Sequence, residues 1–127
     1  MSSSARSIIV VDDERELATL FNAFLIKEGY NAITFVDPVL ALEYFKETSD
    51  KHSLIITDLR MPGLSGIEFA KRIREINTKI KIFLITAFET KDLADQQDFK
   101  IARIDRLIQK PVRFSDLREM INLAWKT

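Results

Sequence analysis

Five residues have the types and spacing for chemistry: Asp12 and Asp13 side by side, Asp58, Thr86 and Lys110. Each stands where a short apolar run gives out. Asp12 and Asp13 follow Ile8 to Val11, Asp58 follows Leu54 to Thr57, Thr86 follows Lys81 to Ile85, and Lys110 follows Leu107 to Gln109. Three carboxylates gathered at one place repel one another, and protonation or a bound cation relieves the repulsion. Magnesium suits such an all-oxygen set, because it is commonly held by carboxylates together with waters and phosphate oxygens. The chain has no cysteine and a single histidine to offer a softer metal. A hard cation beside a carboxylate, a hydroxyl and a lysine makes a phosphoryl-transfer site. Asp58 is then the nucleophile, and Thr86 and Lys110 stabilise charge on the equatorial oxygens. Taken singly, each residue has a plainer explanation: Asp12 and Asp13 as a helix N-terminal pair favoured by the dipole, Asp58 as a solvated strand end, Thr86 as a strand-terminal hydroxyl, and Lys110 with Pro111 as a turn entry.

For residues this far apart to meet, the elements that carry them must line up along one edge. The chain alternates short β-branched runs with segments of helical period five times over. Strands are predicted at Ile8 to Val11, Asn31 to Phe35, Leu54 to Thr57, Lys81 to Ile85 and Leu107 to Gln109. Several are apolar on consecutive residues, as in parallel strands covered on both faces, and the alternation argues for an α/β sandwich. In an open parallel sheet the carboxyl ends of the strands share one rim, where ligands bind.

The helices have their own signals. Leu17, Leu20, Phe21, Phe24 and Leu25 follow one helical face, with Gly29 as a stop. Asp37-Pro38 reads as an N-cap followed by proline, opening a helix that buries Ala41, Leu42 and Phe45. Gly66 to Glu75 presents Phe69, Ala70 and Ile73, and Ser115 is expected to cap a last helix with Leu117, Met120, Ile121 and Ala124 inward. Thr90 to Lys100 is expected to form a short or mobile helix, its Asp92, Asp95 and Asp98 making a solvated face or part of a partner surface. His52 reads as a surface residue without a role. Leu123 and Trp125, off the last helix's apolar face, read as terminal packing or as an exposed anchor for a partner.

At 127 residues, 46% of them hydrophobic, the chain is long enough for one domain with a real core, with residues 1–6 as a flexible polar leader. Nineteen basic and nineteen acidic residues balance to a formal charge of +0, so nothing global draws the chain to nucleic acid or to an anionic membrane. The absence of cysteine excludes disulfides and thiol catalysis. No apolar run approaches the roughly 18 residues of a membrane span, and a cytoplasmic protein is expected.

Asp12-Asp13, "DLRMPGLSG" from Asp58 to Gly66, "ITA" ending at Ala87 and Lys110-Pro111 together resemble the receiver domain of two-component response regulators, over roughly Ser7 to Ala124. The resemblance implies a flavodoxin-like (βα)5 three-layer sandwich, a doubly wound five-stranded parallel sheet in the order 2-1-3-4-5. It implies an acyl phosphate on Asp58, taken from a sensor histidine kinase or a phosphotransfer protein. Magnesium would be held by Asp13, Asp58 and the backbone carbonyl of Arg60, with Asp12 acting through metal-bound water. Lys110 would pair with the phosphate, and the Lys110-Pro111 bond would be cis.

Output would be binding, on the face of the fourth helix, fifth strand and fifth helix. The takers would be a downstream protein, an output domain of a longer chain, or a second copy in a homodimer. Only self-phosphorylation and self-dephosphorylation are implied, not turnover of other substrates. Leu107 stands where the family usually has an aromatic switch residue, and Arg103 and Ile104 replace a small pair. Thr86 remains as a switch residue. Phe88 is a candidate for part of the aromatic role, or simply a cover for apolar surface. Bulk at Arg60 and Phe88 suggests slow hydrolysis of the acyl phosphate. The rival readings are a pseudo-receiver that is never phosphorylated and, further off, a phosphohydrolase using Asp58 as a transient nucleophile. Arg60 stands where such hydrolases carry their second aspartate.

Overall fold

The predicted runs take shape in a computed structural model that describes residues 6–87 and 96–125. The strands are β1 (Ser7–Val11), β2 (Asn31–Phe35), β3 (Leu54–Asp58), β4 (Lys81–Thr86) and β5 (Arg106–Gln109). The helices are α1 (Arg15–Lys27), α2 (Pro38–Thr48), α3 (Gly66–Ile76), α4 (Gln97–Ala102) and α5 (Phe114–Trp125), with a 3-10 turn at Ser49–Lys51. All strand pairs are parallel, in the order β2-β1-β3-β4-β5. The direction of winding reverses between β1 and β3, so a crevice opens at their carboxyl ends. No helix among the described residues is long and apolar enough to cross a membrane.

Strand alternation divides the core into two layers. Ile9, Val11 and Ile55 face Ala41 and Phe45 of α2 and Phe69 and Ile73 of α3. Ile8, Val10 and Ile56 face Phe21 and Leu25 of α1 and Leu117 and Ile121 of α5. Every residue of β3 is buried, so Asp58 is delivered through the middle of the sandwich to its rim. The Asp37 side chain caps α2 by accepting from Val39 N at 2.9 Å, and Ser65 caps α3 by accepting from Glu68 N at 3.1 Å. Gly29, at φ +96°, ends α1 in a conformation that a Cβ would disfavour.

Some helical details differ from the sequence expectation. Leu20 is 53% exposed, because the stripe of α1 that meets the sheet is Ala18, Phe21 and Leu25, and Leu20 lies outside it. Ser115 lies within the first turn of α5 rather than capping it. That helix starts one residue earlier, where the Phe114 ring stacks on Phe24 at 4.6 Å and Leu117 N donates to Arg113 O at 2.9 Å. Trp125 packs against the α1/α5 layer, with the Arg6 guanidinium 4.3 Å above its ring, while Leu123 stays exposed. Asp98 is exposed on α4 and pairs with Lys71 at 3.1 Å; Asp92 and Asp95 lie outside the described residues.

His52 is buried, not a surface residue. Its Nδ1 lies 2.8 Å from Ser7 Oγ and its Nε2 2.9 Å from Thr48 Oγ1, and the rings of Tyr44 and Phe45 flank it. Burial lowers its pKa from the ordinary 6.5, with the Lys51 charge adding to the effect, so the folded chain holds the ring neutral where the unfolded chain takes up a proton. Its contribution is therefore complete above pH 6.5 and declines as the pH falls from there through the lower folded value. In urea titrations the difference between wild type and His52→Gln should shrink on going from neutral pH to about pH 5; a constant difference would contradict the neutral buried ring.

Candidate functional site

β1 delivers Asp12 and Asp13, β3 ends on Asp58, β4 ends on Thr86, and Lys110 follows β5. Asp12 N extends the β1–β2 pairing by donating to Phe35 O at 3.0 Å. Asp12 Oδ1 accepts from Glu14 N at 2.9 Å, so this carboxylate both supports the entry to α1 and faces its acidic neighbours. One carboxylate oxygen each from Asp12, Asp13 and Asp58 lie within 4.8 Å of one another. Asp12 and Asp58 are buried and Asp13 is exposed. Lys110 Nζ stands 3.4 Å from Asp58 Oδ1, and Lys110 N donates to Thr86 O at 2.8 Å, which ties the lysine to the end of β4. The Lys110-Pro111 peptide is cis. Asp58, Arg60, Thr86 and Lys110 line a small cavity of about 80 Å³.

Gly66, the last residue of the "DLRMPGLSG" motif, has a steric role at the rim as well. A Cβ there would drive into the carbonyl oxygen of Asp58 and come within 2.8 Å of Leu84 Cδ1. The start of α3 therefore presses on the end of β3, with Gly66 N donating to Leu59 O at 2.8 Å. The available signal was a glycine at the first helical position directly after a serine cap, where most residues would serve. Leu107 is half-buried, pairs in register with Leu84, and packs against the cluster of Leu59, Ile67 and Leu84. Arg103 is the only non-glycine at positive φ among the described residues, at φ +50°. Phe88 lies outside the described residues.

Burial pushes the Asp12 carboxyl up to about 6; the Glu14 N–H opposes this, and the negative charge of Asp58 adds to it. Burial also raises Asp58, while the nearby Lys110 ammonium pulls it back. Among the described residues, three carboxylates meet at this rim with the Lys110 ammonium beside Asp58, and the ligand atom each of the three offers is oxygen. Those properties fit magnesium.

A carboxyl whose folded pKa is raised contributes stability below its unfolded value of 3.8 and loses it as the pH rises through about 6. At neutral pH without metal, Asp12→Asn should therefore stabilise the chain by about 1–2 kcal/mol, after allowance for screening, with a higher Tm. The gain should shrink towards about pH 4. Magnesium should raise the Tm of wild type more than that of the variant; a destabilised Asn variant in metal-free buffer would contradict this.

The fold and the rim define a class, and the comparisons agree. The chain belongs to the response regulator receiver domain family, whose model matches residues 8–122. It is 27% identical over 114 residues to Sporulation initiation phosphotransferase F of Bacillus subtilis, covering 90% of this chain and 89% of that protein. It is 31% identical over 112 residues to the Response regulator receiver protein CpdR of Brucella abortus, covering 88% and 90%. Among solved structures, response regulator protein TrrA of Thermotoga maritima in complex with Mg(2+)-BeF is 33% identical with a TM-score of 0.80, over 94% of this chain and 98% of that one.

Proposed function

We propose that this receiver domain takes a phosphoryl group onto Asp58 from a phosphohistidine of a sensor histidine kinase or a phosphotransfer protein. The observation that carries the reading is the setting of one buried carboxylate oxygen: a lysine nitrogen stands 3.4 Å away and two further acids share its rim. An Asp58 oxygen attacks phosphorus as the phosphorus–nitrogen bond breaks, and the departing imidazole nitrogen keeps the electron pair and takes a proton. Lys110 keeps Asp58 ionised before attack and then pairs with the phosphoryl oxygens. The Thr86 hydroxyl donates to one of those oxygens. Asp13, Asp58 and the carbonyl of Arg60 would hold magnesium, with Asp12 acting through its water. Held there, magnesium would supply positive charge against the phosphoryl oxygens.

The switch then runs from Thr86 along β4 to its register partner strand, where Leu107 meets Leu84, with Phe88 as a further candidate. The face of α4, β5 and α5 would carry the output to a downstream protein, to an output domain in a longer chain, or to a second copy. This reading takes residues 1–127 as a single receiver domain, with 1–6 as a leader, acting in the cytoplasm.

The test is intact-mass spectrometry after incubation with acetyl phosphate and magnesium. Wild type should gain one phosphoryl mass and Asp58→Ala none. Equal labelling of both chains, or of neither, overturns the reading, and labelling of neither favours a pseudo-receiver.

A further inference from the structure

Beside the acidic rim lies a second, larger hollow of about 390 Å³. Leu17 and Phe21 of α1 form one wall, and Val112, on the turn into α5, and Phe114, the first residue of α5, form the other. The Phe21 and Phe114 rings meet edge to face at 5.5 Å. Its size is within the range of small-molecule sites, and like them it is mostly apolar with few polar groups. Among the described residues, the charged groups lining it are Asp12 and Lys110. Lys110 Nζ is engaged by Asp58 at 3.4 Å, and Asp12 belongs to a cluster of three carboxylates. The field at the polar end is therefore negative, and the complementary occupant has a cationic head and an aromatic body.

We propose that this hollow binds a small arylalkyl amine, its ring between α1 and the β5–α5 turn and its ammonium on Asp12. An ammonium there draws on the same negative charge as a divalent ion, so the amine and magnesium oppose each other's binding by the same factor. Only that regulatory consequence rests on the function proposed above; the binding itself does not require phosphorylation.

The probe is 2-phenylethylamine, titrated into the metal-free full chain and followed by amide NMR. Saturable shifts are expected at residues 17–21, at 110 and at 112–114, with 2-phenylethanol and 3-phenylpropionate at least about tenfold weaker. Val112→Trp, which fills the hollow, should weaken the amine at least about tenfold and leave magnesium affinity within about twofold. Asp12→Asn, which keeps the hollow open, should also weaken the amine, and it decides the matter if Val112→Trp does not fold. Added amine should raise the apparent magnesium dissociation constant of wild type. The proposal is overturned if the alcohol or the carboxylate binds as well as the amine, if Asp12→Asn leaves amine affinity unchanged, or if shifts do not saturate. A chain that binds the amine but is not labelled at Asp58 would leave this site standing and remove the proposed function.

Discussion

Arg74→Met is expected to lower the unfolding free energy by about 3–5 kcal/mol, the range for removing one partner from a buried charge network. The Arg74 guanidinium is buried at the far end of α3. Its Nε donates to Ala102 O at 3.0 Å, Nη1 to Ile80 O at 2.6 Å, and Nη2 to Arg103 O at 2.8 Å and Asp105 Oδ2 at 3.1 Å. Three backbone carbonyls and one carboxylate thus depend on one side chain. Methionine fills most of the volume but donates to none of them. The same Asp105 oxygen also accepts from Ile82 N at 2.8 Å, so its charge cannot simply swing to water without breaking a second contact. Arg103 feels the loss directly: its left-handed backbone, costly for a residue with a Cβ, is held by the bond from Arg74 to its carbonyl. Urea denaturation should show a lower midpoint with little change in slope, and Arg74→Lys should recover part of the loss. A Met variant within about 1 kcal/mol of wild type would show that these carbonyls find other partners cheaply.

Lys110→Met is expected to slow phosphorylation by acetyl phosphate about 100-fold or more, the usual scale for losing a preorganised charge at a transition state. Its Nζ lies 3.4 Å from the Asp58 oxygen. Two effects act together. Without the ammonium, the pull that opposes burial at Asp58 is gone, so its carboxyl rises further and less of it is ionised to attack. The charge on the arriving phosphoryl oxygens also goes unanswered. Magnesium binding should move the other way, becoming equal or tighter, since a competing cation has left a cluster of three acids. Single-turnover labelling and a magnesium titration on the same sample check the split. Labelling at the wild-type rate would mean that Lys110 only stabilises the resting chain.

Much of this molecule was legible from one-dimensional pattern. Consecutive apolar residues such as Ile55 and Ile56 predict strands covered on both sides, and they face the two different core layers. Asp37 and Ser65 act where hydrogen bonding within a few residues decides, so α2 and α3 start as local rules require. The chemistry-bearing residues were legible because each stands at the carboxyl end of a strand, and a parallel sheet carries such ends to one rim.

What only the tertiary structure decided depends on partners remote in sequence. His52 looks like a surface residue beside Asp50 and Lys51, yet Ser7, from a strand on the other side of the chain's path, meets its ring and makes burial tolerable. Leu20 fits the helical period but lies off the side of α1 that meets the sheet. Arg74 reads as one cation among many in "KRIREI", and three of its four bonds, to Ala102 O, Arg103 O and Asp105 Oδ2, exist only because α4 and the turn after it come to rest beside α3. Gly66 matters because β3 ends beneath it. Local rules set which element forms; long-range contact sets which side chain is desolvated, and desolvation is what changes the cost of a charge.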